Sequence, residues 1–223
     1  MKSFLGSQEV KEKYLARVAE HRERDELVHG TYWSFGKGCA VGCTVENSDD
    51  PHSRYPVELG IPVWLAYLED GFFESMDNGE AKAWPTRFLE AIPVGVDLEP
   101  VKPKFLRWLM TDKVHGVVQC AKGYPNVKAA ILQTDAYLED WIRNGKPDEK
   151  KRRAAESAAW SAAESGARSA ARSAAWSAAE SAARSAAWSA EWSAEWSAAW
   201  SAAEIAARSA ESHHLLDLLR DAK

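Results

Sequence analysis

Apolar residues recur every three to four positions through most of residues 1–145, and no useful run alternates with a period of two. The pattern predicts a mostly α-helical head. Val10, Tyr14, Val18 and His21 share one stripe of a helix over residues 7–28, with Ser7 as its cap and Gly30 as its stop. On that stripe His21 reads as a packed, hydrogen-bonded histidine. Ile61, Leu65, Leu68, Phe72 and Met76 give a second helix its apolar face, with Pro62 in its first turn and Asn78-Gly79 at its end. Glu69, Asp70 and Glu74 lie off that face and read as a solvated carboxylate cluster, with a metal-binding or acid–base role as the alternative. Pro85 predicts the start of a short helix to Ile92, and Asp97 the cap of another through Met110. Residues 113–121 are ambiguous between strand and helix. Pro125 opens the last head helix, and Asn144-Gly145 close it.

Beyond the head, at residues 146–223, the pattern changes. Pro147-Asp148-Glu149 form a helix start, the basic run Lys150–Arg153 follows, and from 156 to 212 the chain repeats X-Ser-Ala-Ala with X as Trp, Glu or Arg. Four residues advance a helix by about 400°, so each unit drifts by about 40°. A close partner helix cannot follow that drift, because supercoils accommodate only about 20° per repeat. The period is therefore a helix-permissive expansion, not an interface code. The choice of X carries the information. Trp188, Trp192, Trp196 and Trp200 fall on an arc of about 120°, an apolar patch that calls for a covering surface. The expectation is a compact helical head followed by a long Ala/Ser/Trp-rich helical tail that assembles subunits. Leu215, Leu216, Leu218 and Leu219 add a second apolar patch near the end.

Charge narrows the partners. Nine basic and nine acidic residues cancel from residue 151 onward, so the net charge of −5 lies in residues 1–150. That excludes a general nucleic-acid binder, whose footprint is basic. The longest apolar run, residues 61–68, is too short to span a bilayer. The apolar start Met-Lys-Ser-Phe-Leu-Gly ends at once in Gln-Glu-Val-Lys. With three cysteines, an odd number, the chain reads as a cytoplasmic protein with reduced thiols.

The densest chemistry is Thr31–Thr44, where three aromatics precede three glycines, Lys37, Cys39 and Cys43. Backbone N–H groups in glycine turns or at a helix start favour anions. The expected ligand site is therefore Tyr32, Trp33, Lys37, Gly38, Cys39, His52 and Arg54, holding a small anionic or nucleobase-bearing molecule, against the plainer reading of a packed glycine turn. It is neither a P-loop nor a dinucleotide fingerprint. Two alternatives use the thiols. Cys39 at a helix start is a candidate nucleophile with His29, His52 or His115 as base. Cys39, Cys43, Cys120 and a histidine are candidate zinc ligands, although a lone C-x₃-C lacks the second paired motif of common zinc sites. The preferred reading involves no metal and no cofactor.

Gly38–Thr44, Glu58-Leu59-Gly60-Ile61-Pro62, Leu68-Glu69-Asp70, Trp84-Pro85 with Arg87-Phe88-Leu89, and Ala91–Gly95 resemble a family of hypothetical proteins of phages and bacteria, some with low-complexity Ala-rich tails. The resemblance covers residues 38–95 and brings no catalytic role. It implies a host-manipulation role, such as sequestering a nucleotide signal in the host cytoplasm to evade defence. The sequence thus favours a non-enzymatic, oligomeric binding protein over a Cys39-dependent enzyme or a scaffold with a helical tail.

Overall fold

A computed structural model describes residues 1–121, 123–155, 157–158 and 209–223. These residues are mostly helical, and no strand forms among them. They divide into two compact units, residues 1–102 with 208–223 and residues 103–207. Trp188, Trp192, Trp196 and Trp200 lie outside the described residues.

In the first unit, helix α1 (Gln8–Glu23) starts where Ser7 Oγ accepts from the Val10 amide, and it buries Tyr14, Val18 and His21. It stops five residues short of the expected end at 28. Asp25 takes a left-handed conformation (φ 57°), Glu26 N bonds back to His21 O and Asp25 N to Arg22 O. This paired closure satisfies the last carbonyls without a glycine. Residues 26–38 then form a small hairpin-like loop. Val28 N bonds Gly38 O, Gly38 N bonds Glu26 O, and Ser34 and Lys37 exchange both backbone bonds around Phe35-Gly36.

Helix α2 (Ala40–Val45) is buried at all six positions. Helix α3 (Pro51–Arg54) runs into a wider turn at Tyr55–Leu59. Helix α4 (Val63–Ser75) buries Leu65, Ala66, Glu69, Phe72 and Phe73. Two expectations need correction here. Asn78-Gly79 do not end α4; they begin helix α5 (Asn78–Ala91), because the Asp77 carboxylate accepts from Gly79 N and Glu80 N. Pro85 does not open a helix; it sits inside α5, whose burial of Ala81, Trp84, Phe88 and Leu89 outweighs the lost backbone bond. The α1 residue Lys11 reaches across to the end of α5, donating to Ile92 O at 2.6 Å and Glu90 O at 3.0 Å, where cations suit a helix end.

The N-terminal segment is stitched to the chain after α5. Ser3 is fully buried; its hydroxyl donates to Pro93 O, and Ser3 and Val96 bond through their backbones. Helix α6 (Val101–Thr111) begins after Pro100, not at Asp97, whose carboxylate accepts from Glu99 N instead.

The second unit has a 3-10 turn at Val117–Ala121, so the ambiguous segment 113–121 is a turn leading into a short helix, not a strand. It also has α7 (Pro125–Asn144), closed by left-handed Gly145 as expected. Asp148 caps a following helical segment, α8 (residues 149–155), through the Lys150 and Lys151 amides. Tyr137, Leu138 and Ala155 form its core with Leu106, Met110 and Trp141. Lys151, from the basic run, pairs with Asp140 at 2.9 Å.

The end of the chain, α9 (residues 209–220), belongs to the first unit. Leu215, Leu216 and Leu219 are 0–1% exposed, and Arg87 meets His213 at 3.2 Å. Three of the four leucines of the second apolar patch are therefore core, and Leu218 is half-buried. No described helix is long and apolar enough to cross a membrane.

Candidate functional site

The glycine-rich stretch does a packing job. A Cβ on Gly38 would lie 2.0 Å from Tyr32 O, and one on Gly42 only 1.4 Å from the same oxygen. These glycines let the Tyr32 backbone lie directly on α2. The Cys39 amide donates to Thr31 O at 2.7 Å, so this backbone donor is already used. Helix α2 is also too short to build much of a dipole. Lys37 sits in the Phe35-Gly36 turn, Arg54 pairs with Glu58 at 2.7 Å, and Trp33 packs edge-on against His21. His21 Nδ1 lies 2.7 Å from Glu26 Oε2. Trp33 and Arg54 thus have local partners of their own, and the Lys37 backbone is fixed in the turn.

Tyr32, Cys39 and His52 do come together, and they bring residues that sequence reasoning assigned elsewhere. The His52 ring is 3% exposed; Tyr67 stacks on it at 4.1 Å and Tyr32 meets it edge-on at 5.3 Å. His52 Nε2 lies 3.0 Å from Asp70 Oδ2, and a carboxylate can only accept there. Asp70 Oδ1 is buried without a hydrogen-bond partner. Donor atoms of Cys39, Asp70 and Glu74 lie within 4.8 Å of one another. Glu74 is held by the Gly30 amide, which reaches both carboxylate oxygens at 3.0 and 2.9 Å. Tyr32 and Tyr67 remain 46% and 57% exposed, so the cluster opens to solvent through its aromatics.

The electrostatics are one-sided. Among the described residues no lysine or arginine pairs with Asp70 or Glu74; His52 is the cationic-capable partner of Asp70. The Tyr32 hydroxyl is raised above its ordinary range by desolvation and by Asp70, Cys39, Tyr67 and Asp50 around it. Burial, then the neighbouring Asp70 carboxylate, pushes the Cys39 thiol far up. A nucleophilic cysteine needs the histidine beside the sulfur and the carboxylate behind the histidine. Here the carboxylate stands between them, which holds the proton on the thiol. Cys43 is also buried and pushed up to about 12 by burial, its Sγ 3.3 Å from Gly38 O. It is not part of the Cys39 donor group; the Cys120 side chain lies outside the described atoms.

Beneath the cluster, Glu69 is fully buried. Tyr55 Oη donates to its Oε2 at 2.5 Å, while Oε1 has no partner. Burial pushes this carboxyl up to about 8, with Asp70 adding to the shift and Tyr55 opposing it. Reading Glu69 as part of a solvated face was therefore wrong. Its spacing was the available signal: it follows Leu65 by four and precedes Phe72 by three, which puts it on the buried stripe. Asp70 and Glu74, at i and i+4, share a face by the same rule. Their convergence on Cys39 and His52 is long-range and has no local signal.

No known family model matches the chain, and neither does any curated protein or solved structure.

Proposed function

We propose that the protein is a non-enzymatic binding protein whose first unit holds a small nucleobase-bearing molecule at Tyr32, His52 and Tyr67. The observation that carries this reading is the His52–Tyr67 stack, half open to solvent, with Asp70 behind it. The exposed Tyr67 ring offers a face to a flat base, worth about 1–3 kcal/mol per stack. Asp70 and Glu74 offer only acceptors, so they favour a base edge rich in N–H donors. That preference shifts the expected ligand from a bare anion to a base recognised by its amino and imino groups. The resemblance to phage and bacterial proteins gives such binding a use, sequestration of a nucleotide signal in a host cell. Assembly through Trp188, Trp192, Trp196 and Trp200 belongs to the same reading, since several copies raise the local number of sites.

The test is calorimetric titration of the full chain, in chelator, with adenosine, guanosine, cytidine and uridine and their monophosphates. Saturable binding to a base with an amino edge is expected, weakened by Tyr67→Ala and by Asp70→Asn. No heat and no thermal stabilisation across the panel would overturn the ligand reading. Light scattering on the chain with the four tryptophans replaced by serine checks assembly; an unchanged mass would remove the tail from it.

A further inference from the structure

We propose that Cys39, Asp70 and Glu74 form a binding site for a divalent transition-metal ion of the zinc class. The three donors come from the start of α2 and from the middle and end of α4, and they lie within 4.8 Å of one another. Donors around a tetrahedral zinc stand about 3.5 Å apart, given bond lengths of roughly 2.0–2.3 Å. The observed spread is therefore slightly wider than a closed tetrahedral set, and Glu74 is the exposed member of the three.

Four features fit an ion. Asp70 Oδ1 is buried without a hydrogen-bond partner of normal geometry, and besides His52 the donor that faces the Asp70 carboxylate is the Cys39 thiol, whose proton an ion would replace. Asp70 Oδ2 is oriented by His52, and Glu74 by the Gly30 amide; such outer partners commonly fix metal ligands. No lysine or arginine among the described residues pairs with either carboxylate. Finally, one sulfur and two carboxylate oxygens suit a borderline-soft ion better than magnesium or calcium, which take all-oxygen sets.

The chemistry balances simply. The Cys39 S–H bond breaks, its proton leaves to solvent, and the sulfur lone pair forms the bond to the metal. Three protein ligands leave the fourth position of a tetrahedral ion to water. The site does not require the nucleobase reading.

The experiment uses the full chain stripped with chelator and titrated with Co²⁺, then with Zn²⁺ against a chromophoric chelator, with no nucleoside present. The expected result is one ion per chain with a near-ultraviolet thiolate-to-cobalt charge-transfer band. Cys39→Ser abolishes the band, Cys43→Ser and Cys120→Ser retain it, and Glu74→Gln weakens affinity by at least the roughly 10–100-fold that an outer partner costs. Because Glu74 is exposed, E74Q decides the matter even if the Cys39 variant fails to fold. Absence of the band, a band that survives Cys39→Ser, or an affinity unmoved by E74Q would each overturn the site. Nucleoside binding is measured separately in chelator, so the two proposals fail independently.

Discussion

Replacing Glu69 by glutamine tests whether this buried carboxyl keeps its proton in the folded protein. Burial holds it up to about 8, against 4.5 for the free side chain. The folded chain therefore keeps a proton that the unfolded chain releases. For an acid shifted upward, stability is greatest below about pH 4.5, falls as pH rises towards 8, and then levels off. Each pH unit in that window costs up to about 1.4 kcal/mol, so the full gap is worth about 5 kcal/mol. Glutamine is nearly isosteric, its amide oxygen still accepts from Tyr55, and it does not titrate. Urea unfolding of both proteins in chelator, from pH 5 to 7.5, isolates this group, because other carboxylates contribute equally to the two. The wild-type stability should fall relative to Glu69→Gln by about 3 kcal/mol across that range. Parallel pH profiles would refute the reasoning and mean that Glu69 is ionised in the fold.

Three further outcomes follow from the same structure. Gly42→Ala drives a Cβ against the Tyr32 carbonyl and should destabilise at or above the top of the ~1–3 kcal/mol range for overpacking, whereas Gly71→Ala, with open space around it in α4, should stabilise by about 0.5–1 kcal/mol; thermal unfolding distinguishes them. Cys39 and Cys43 should resist iodoacetamide at neutral pH in the native chain and react fully in urea, as read by peptide mass mapping; selective native labelling of Cys39 would restore the nucleophile reading. Leu219→Ala, at a fully buried position of α9, should cost about 2–5 kcal/mol in urea unfolding, and a change below 0.5 kcal/mol by the usual standard of surface sites would show that α9 is not part of the core.

The site shows where sequence reading stops. Tyr32, Cys39 and His52 were legible as chemistry because aromatics, a thiol and a histidine fall close together in the chain. Their real neighbours, Asp70 and Glu74, were legible as a carboxylate cluster on a helix, solvated or in a metal or acid–base role, but not as partners of Cys39 and His52. Lys37 and Arg54 looked like ligand contacts from sequence proximity; the structure places the Lys37 backbone in a turn and pairs Arg54 with Glu58. Gly38 and Gly42 suggested an anion cradle, and their use is the close approach of the Tyr32 backbone.

By itself the sequence determined the helical class, the Ser7 cap, the left-handed stop at Gly145, the Asp148 start and the apolar character of the last leucines. These depend on interactions within about one helical turn, which spacing and residue type encode directly. Only the tertiary structure decided that α1 ends at Glu23, that Pro85 is carried inside α5, and that α9 is buried with the first unit. It also decided that Glu69 is sealed from water while Asp70 and Glu74 meet Cys39. The physical reason is common to all of these. Desolvation and close packing are set by residues far apart in the chain, and they outweigh the local preferences of a cap, a proline or a charge.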